Sequence, residues 1–193
     1  MHGSEDRPRL LGRRELGVGS WLRLDELEYV DRHGGRHTWE TASRLRSQAA
    51  VMMIPRLLHS GCYVLISQYR PALDRAVLEF PAGLIDAGED ARTTAVRELK
   101  EETGYCGVVS WLGAGSYNSP GMSGEAVYVA RMEIDERLPV NRDPVPTPEC
   151  TEDISVRLLQ PTAAAAYLRE CAAAGLALDS KLVSFFLGAG LCW

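Results

Sequence analysis

The stretch that most limits what this chain can become runs from Gly83 to Tyr105: Gly-Leu-Ile-Asp-Ala-Gly-Glu-Asp-Ala-Arg-Thr-Thr-Ala-Val-Arg-Glu-Leu-Lys-Glu-Glu-Thr-Gly-Tyr. Gly88 precedes, and Gly104 follows, a run free of helix breakers, which predicts a helix over about 90–103 with Gly104 as its left-handed stop. At about 100° per residue, Glu98, Glu101 and Glu102 share an arc of about 100°. Ala95, Val96 and Leu99 fill the adjacent sector and are expected to face the core. Like charges at i, i+3 and i+4 weaken a bare helix. A solvated acidic face relieved by Arg97 and Lys100 would account for the composition alone. A divalent cation would neutralise the carboxylates outright, and an all-oxygen donor set selects Mg²⁺ or Mn²⁺, ions that bridge protein carboxylates to phosphates.

The rest of the chain reads as strands with two late helices. Residues 1–17 are polar and arginine-rich, the pattern of a loosely ordered arm. Residues 20–44 carry Trp21, Leu22, Leu24, Leu27 and Tyr29 ahead of the turn Asp31-Arg32-His33-Gly34-Gly35 and an extended return, a predicted β-hairpin. Short apolar runs at 50–58, 62–68 and 76–80 predict core strands. Further strands are expected at 108–116, 126–134 and 154–158, and helices at 161–173 and 178–187. Four prolines within 137–148 predict a long exposed loop. The organisation is then an arm (1–17), a hairpin (18–46) and a main domain (47–193).

Composition narrows the function classes. With 21 basic against 26 acidic residues the net charge is −5, the wrong sign for tracking a phosphate backbone, so a nucleic-acid partner is not expected. No run reaches the length of a membrane span and the amino end lacks the apolar core of a signal peptide, so a cytoplasmic or nuclear protein without membrane contact is expected. Five cysteines with no C-x-x-C pair suggest neither a disulfide framework nor a zinc site.

Read as G-x5-E-x7-R-E-U-x-E-E-x-G-U, with U a bulky apolar or aromatic residue, the segment is filled at Gly83, Glu89, Arg97, Glu98, Leu99, Glu101, Glu102, Gly104 and Tyr105, nine defined positions in 23 residues. It resembles the signature of the Nudix hydrolases. The resemblance implies an α/β fold, an α/β/α sandwich around a mixed sheet, and hydrolysis of a nucleoside diphosphate linked to another moiety. It also implies that Glu98, Glu102, Glu101 and the Ala82 carbonyl hold Mg²⁺, with Mn²⁺ as the alternative. Arg97 would orient the carboxylates and Glu89 would hold the loop.

The flanks resemble the ADP-ribose and ADP-sugar pyrophosphatase branch of that family. Pro120 stands 16 residues after Gly104, and Gln68-Tyr69-Arg70-Pro71 and Glu79-Phe80-Pro81-Ala82-Gly83-Leu84-Ile85 fit the same branch, as do Trp21 and the run Thr38-Trp39-Glu40 with Arg44. The resemblance implies that Trp21, Trp39, Glu40, Arg44, Arg70, Leu84 and Ser119 hold an ADP-sugar such as ADP-ribose, with adenine stacked between tryptophans. It implies a homodimer through the hairpin, and a catalytic glutamate ahead of the last core strand. Glu152 is the assigned base, Glu149 the alternative, and Glu125 ranks below both. Ser119 departs from the acidic residue often found before Pro-Gly in this branch. Other Nudix substrates, or a non-catalytic ADP-ribose binder, are the competing readings.

Overall fold

The structure, a computed structural model, describes residues 7–47 and 49–190. Two compact units emerge. Among the described residues, the first holds those up to 50 together with 115–127; the second holds 51–114 and 128–190.

The first unit is a three-stranded antiparallel sheet, β1 (Arg9–Val18), β2 (Leu22–Val30) and β3 (Arg36–Arg44), in that order. The expected hairpin is β2 and β3, paired from Leu22 with Arg44 to Val30 with Arg36. Asp31 closes its turn: one carboxylate oxygen accepts from the His33 and Gly35 N–H groups at 2.7 and 2.9 Å. The loosely ordered arm expected for 1–17 is corrected over 9–17, which forms β1 against β2; residues 1–6 lie outside the described part. Register shifts at Leu10/Gly12 and Glu15/Gly17 break the strand's alternation. Nearly all its side chains are exposed, so no apolar face marks it. Asp25, buried on β2, is held by Arg23 at 3.0 Å and Arg13 at 3.4 Å, tying the strands together. The short strand β9 (Ser116–Tyr117) pairs antiparallel with the start of β10 (Ala126–Ile134).

The second unit is built on β4 (Ala49–Leu57), β5 (Tyr63–Arg70), β6 (Arg75–Glu79), β7 (Ala82–Leu84), β8 (Val108–Leu112), β10, β11 (Ile154–Leu159) and β12 (Ala177–Leu178). The sheet order is β12-β6-β5-β4-β10-β8, with β11 on β5 and β7 on β4; β12 joins β6 in parallel while β5–β6, β5–β11 and β8–β10 are antiparallel. The sheet is therefore mixed, as expected. Helix α1 (Ala91–Thr103) covers one side through Ala95 and Leu99, which join Val51, Met53, Val64, Ala130, Met132 and Ile134 in a cluster almost without exposure. Val96 does not follow its expected neighbours inward; it is 43% exposed. Helices α2 (Ala164–Ala173) and α3 (Ser180–Gly188) complete the unit, and Tyr63, Phe80, Phe185 and Phe186 meet edge to face or stacked beside α3.

Element boundaries moved where a local signal outweighed apolar periodicity. The strand expected over 108–116 stops at Leu112, and the helix expected from 161 begins with a 3-10 turn at Pro161–Ala163. The helix expected from 178 starts at Ser180, because the Asp179 carboxylate caps the Lys181 N–H at 2.8 Å while Leu178 pairs with Leu78. The proline-rich loop is less free than its composition suggests. Asn141, buried within it, exchanges hydrogen bonds with the Cys106 backbone, and the Thr147 N–H donates to the Glu101 carbonyl at 2.7 Å. Cys62, Cys106, Cys150 and Cys171 are free thiols; Cys192 lies outside the described residues. No described helix is long and apolar enough to cross a membrane.

Candidate active site

The chain builds α1 with conventional local chemistry. Asp90 caps it by accepting from the Thr93 N–H at 2.7 Å, and Gly104, at φ 76°, turns the chain out while its N–H bonds the Lys100 carbonyl. A side chain at 104 would strike the Val145 backbone at 2.4 Å, so the glycine also lets the proline-rich loop cross the helix end.

Helical spacing then places Arg97 among four acids. Its guanidinium bonds Glu89 at 3.0 Å, Glu98 at 2.9 Å and Glu101 at 2.9 Å, and lies 3.5 Å from Asp86. The hydrogen bond from Arg97, helped by the Thr94 hydroxyl at 2.8 Å, holds the Glu89 carboxyl below its ordinary range. Arg97 thus bonds Glu98 and Glu101 of the helix and Glu89 ahead of it. Thr94, fully buried, was not singled out from the sequence.

Glu102 is 1% exposed and accepts the Ala82 N–H at 3.0 Å, which fixes β7 beside the helix. Burial pushes its carboxyl up to about 9; the negative charges of Glu98, Glu152 and Glu79 add to the rise, and the Ala82 hydrogen bond opposes it. Glu98 is also raised, by burial first, against the attraction of Arg97 and with repulsion from Glu101 and Glu152. Glu98, Glu102 and Glu152 therefore share one local field. Gly83 backs directly on Glu98: a Cβ there would sit 2.0 Å from the Glu98 carboxyl carbon. Glu101 is more exposed and turned toward Arg97.

Glu152 sits in a turn, its side chain accepting the Glu149 N–H at 3.0 Å while its own N–H bonds the Glu149 carbonyl at 2.9 Å. Glu149 is exposed, Glu152 half-buried. Arg70 is paired with Glu79 at 2.7 Å, and burial raises the Glu79 carboxyl against that pairing. Glu79 is the acid that spacing did not single out, since it lies on β6, outside the helix, and only folding brings its charge to bear on Glu102. Leu84 ends β7, 37% exposed.

The remaining predicted residues belong to the first unit. Trp21 and Trp39 are both exposed; Trp39 pairs opposite Leu27, and Trp21 lies in the bend just before β2. Trp21 stands six positions before Leu27, its carbonyl accepting the Leu45 N–H, which separates the two tryptophans by about 20 Å at about 3.3 Å per residue. Side chains stand roughly perpendicular to a sheet, while aromatic rings pair with centroids about 4.5–7 Å apart. One chain's tryptophans therefore do not close on one base. The Arg46 guanidinium lies over Trp21 at 5.2 Å from the ring centroid. Glu40 pairs opposite Glu26 in the register, Arg44 is ion-paired with Glu125, and Ser119 begins a tight turn.

Two other features are separate from these residues. His59, Asp135 and Glu136 bring ligand atoms within 4.8 Å of one another, but the Glu136 carboxylate accepts the His59 and Ser60 N–H groups and the His59 ring bonds Asp135. These bonds fasten the turn before β5. A groove of about 830 Å³ lined by Ile54, Tyr63, Trp111, Arg131 and Phe185 contains none of the predicted site residues.

The chain is similar to several known proteins. Mouse (Mus musculus) ADP-sugar pyrophosphatase is 36% identical over 69% of this chain and 64% of its own length. Yeast (Saccharomyces cerevisiae) ADP-ribose pyrophosphatase is 37% identical over 73% of this chain and 64% of its own length. The chain thus spans just under two thirds of each. Putative nudix hydrolase 2 of Caenorhabditis elegans is 32% identical over 93% of this chain and 84% of that protein. A solved structure of an ADP compounds hydrolase shares the fold, with a TM-score of 0.62 at 21% identity, covering 87% of this chain and 85% of that one. The NUDIX domain matches residues 46–174. Because that match runs through the glycines, arginine and glutamates of 83–105 and most of the unit folded around them, the chain belongs to the NUDIX family.

Proposed function

We propose that the protein is a Mg²⁺-dependent ADP-sugar diphosphatase that splits ADP-ribose into AMP and ribose 5-phosphate. The observation that carries this reading is the buried Glu102 carboxyl sharing a field with Glu98 and Glu152, a concentration of oxygen donors that a hard cation satisfies. The names of the mouse and yeast relatives and of the structural neighbour agree on ADP and differ in what is attached to it.

Glu98, Glu102 and the Ala82 carbonyl would hold the ion, with Glu101 as a further ligand. When bound, Mg²⁺ supplies neutralisation of the diphosphate charge and polarisation of the phosphoryl oxygens. Glu152 takes the proton of the attacking water as its oxygen bonds phosphorus, and the bridging oxygen departs with the other phosphate. Arg44 and Arg70 bind phosphate oxygens by charge-assisted bonds, while Glu40, Leu84 and Ser119 contact the nucleoside and the sugar. Four free thiols suit a reducing compartment, cytoplasm or nucleus. Incubation with Mg²⁺ and ADP-ribose, ADP-glucose, a UDP-sugar or an oxidised guanosine diphosphate tests the reading. AMP and ribose 5-phosphate are the expected products; turnover of only the guanosine compound discards the adenine assignment, and binding without turnover makes the protein a sensor.

The tryptophan spacing requires two copies if adenine is to be sandwiched, so the enzyme acts as a homodimer in which Trp21 of one copy faces Trp39 of the other. Exposed Val18, which pairs opposite Arg23 on the face that carries Leu27 and Trp39, supplies apolar contact area. Mixing inactive Trp21→Ala and Trp39→Ala proteins under subunit exchange then restores about a quarter of wild-type activity, since half of the dimers are mixed and one of their two sites is intact. No recovery in verified mixed dimers defeats the shared site.

A further inference from the structure

The family signature leaves the seven positions between Glu89 and Arg97 undefined, and one of them holds a buried polar side chain. Thr94 is fully buried, and its hydroxyl donates to the Glu89 carboxylate at 2.8 Å. A threonine inside a helix ordinarily returns its hydroxyl to the carbonyl four residues back, as Thr103 does to Leu99. At Thr94 that carbonyl belongs to Asp90 and takes the Thr94 N–H at 3.0 Å, while the hydroxyl reaches the acid ahead of the helix. The same Glu89 oxygen accepts from Arg97 Nη2 at 3.0 Å, and the other accepts from Nε at 3.1 Å. At its far end the guanidinium donates through Nη1 to Glu98 and Glu101, both at 2.9 Å. The group is planar, so holding its Nε–Nη2 edge fixes where Nη1 points. Among the described residues the Glu89 carboxylate bonds only Thr94 and Arg97. The Arg97 side chain is 30% exposed, so the anchor of this relay on the core side is Thr94. Packing alone would be served by valine, which has the same shape and no hydroxyl to satisfy.

We propose that Thr94 is a positioning residue for the metal site: from the buried side of α1 it sets Glu89, and through Glu89 and Arg97 it sets the carboxylates of Glu98 and Glu101. The inference rests on the metal reading above. Loss of the Thr94 donor frees Glu89 to turn and Arg97 with it, and the two acids lose their common orientation. Thr94 carries no charge, so what its removal takes from the site is geometry alone.

Binding of Mn²⁺, followed by the loss of its free-ion electron paramagnetic resonance signal, reads metal affinity without turnover. Thr94→Val keeps the β-branched shape and removes the donor. It is expected to weaken Mn²⁺ binding by about three- to tenfold, short of the roughly ten- to hundredfold typical of a group that holds a ligand directly. The Mg²⁺ concentration for half-maximal hydrolysis of ADP-ribose should rise by the same factor, while KM at saturating Mg²⁺ moves by less than about twofold. Thr94→Ser, which keeps the hydroxyl, should bind Mn²⁺ as wild type does, and Thr94→Ala, which loses hydroxyl and methyl together, should fall with valine. In a Glu89→Ala background Thr94→Val should add less than about twofold, because the two substitutions cut the same relay. Equal affinity in wild type and Thr94→Val, an equal loss in Thr94→Ser, or full additivity with Glu89→Ala overturns the proposal. Wild-type protein that leaves the Mn²⁺ signal unchanged defeats the metal reading and this one with it, whereas wild-type binding matched by Thr94→Val defeats this one alone.

Discussion

Replacing Glu102 by Gln is expected to cut turnover by at least about a hundredfold, beyond the effect typical of residues that merely support a metal ligand, and to stabilise the protein in EDTA. The two effects share one cause. A carboxyl that ionises near 4.5 when exposed is pushed up to about 9 in the folded chain. Between those values the unfolded state has released a proton that the native state still holds, so stability falls by about 1.4 kcal/mol for each pH unit gained. The destabilisation is absent below 4.5 and complete only as the pH passes about 9. Glutamine carries no charge to bury and retains an oxygen for the Ala82 N–H. In EDTA, the melting temperature of wild type should therefore fall between pH 5.5 and pH 8 more steeply than that of Glu102→Gln. Mg²⁺ should raise the wild-type value and leave the variant almost unmoved. Full activity in Glu102→Gln refutes the metal assignment, and parallel pH curves in EDTA refute the buried acid.

This coupling explains which parts of the site could be read from the chain. The acids of α1 and Arg97 lie within six residues of one another, so helix periodicity alone fixes their order around the axis. Glu89, two residues before the helix, is legible only through the family signature. Glu79 is not, because its importance comes from β6 being brought beside a partner 23 residues away, Glu102. The fold divides on similar grounds. Helix α1 announces itself through Asp90 and Gly104, and β4, β5 and β6 through continuous apolar runs that become core. β1 has neither a cap nor a buried face, and it is held to β2 by a register that puts Arg14 opposite Glu26, 2.9 Å apart, and Arg13 within 3.4 Å of Asp25. Val96 shows the limit of a helical wheel: it lies next to the sector that packs, but Ala91, Ala95 and Leu99 join the core while Val96 stays 43% exposed.

Gly83→Ala should abolish activity nearly as thoroughly as loss of a carboxylate, while leaving the fold in place. The added methyl would fall 2.0 Å from the Glu98 carboxyl carbon and 2.2 Å from both its Cγ and one oxygen. The obstacle is the end of a side chain rather than backbone, so the chain escapes the clash by turning Glu98 away. That escape breaks the 2.9 Å bond to Arg97 and removes Glu98 from the field it shares with Glu102 and Glu152. A displacement of about 1 Å in a catalytic group costs about a hundredfold in rate, and turning the carboxylate out of the methyl's way requires at least that. Secondary structure and melting temperature should stay close to wild type, because no core side chain moves. Gly12→Ala is the control, since nothing lies within 4 Å of its added methyl. Wild-type turnover in Gly83→Ala would mean that Glu98 works from a position other than the one it holds beside Gly83. A parallel loss of fold and activity would instead make the glycine a backbone requirement of β7. Activity lost with the melting temperature retained assigns Gly83 its place in the site: a residue with no side chain, present so that Glu98 can stand where the chemistry needs it.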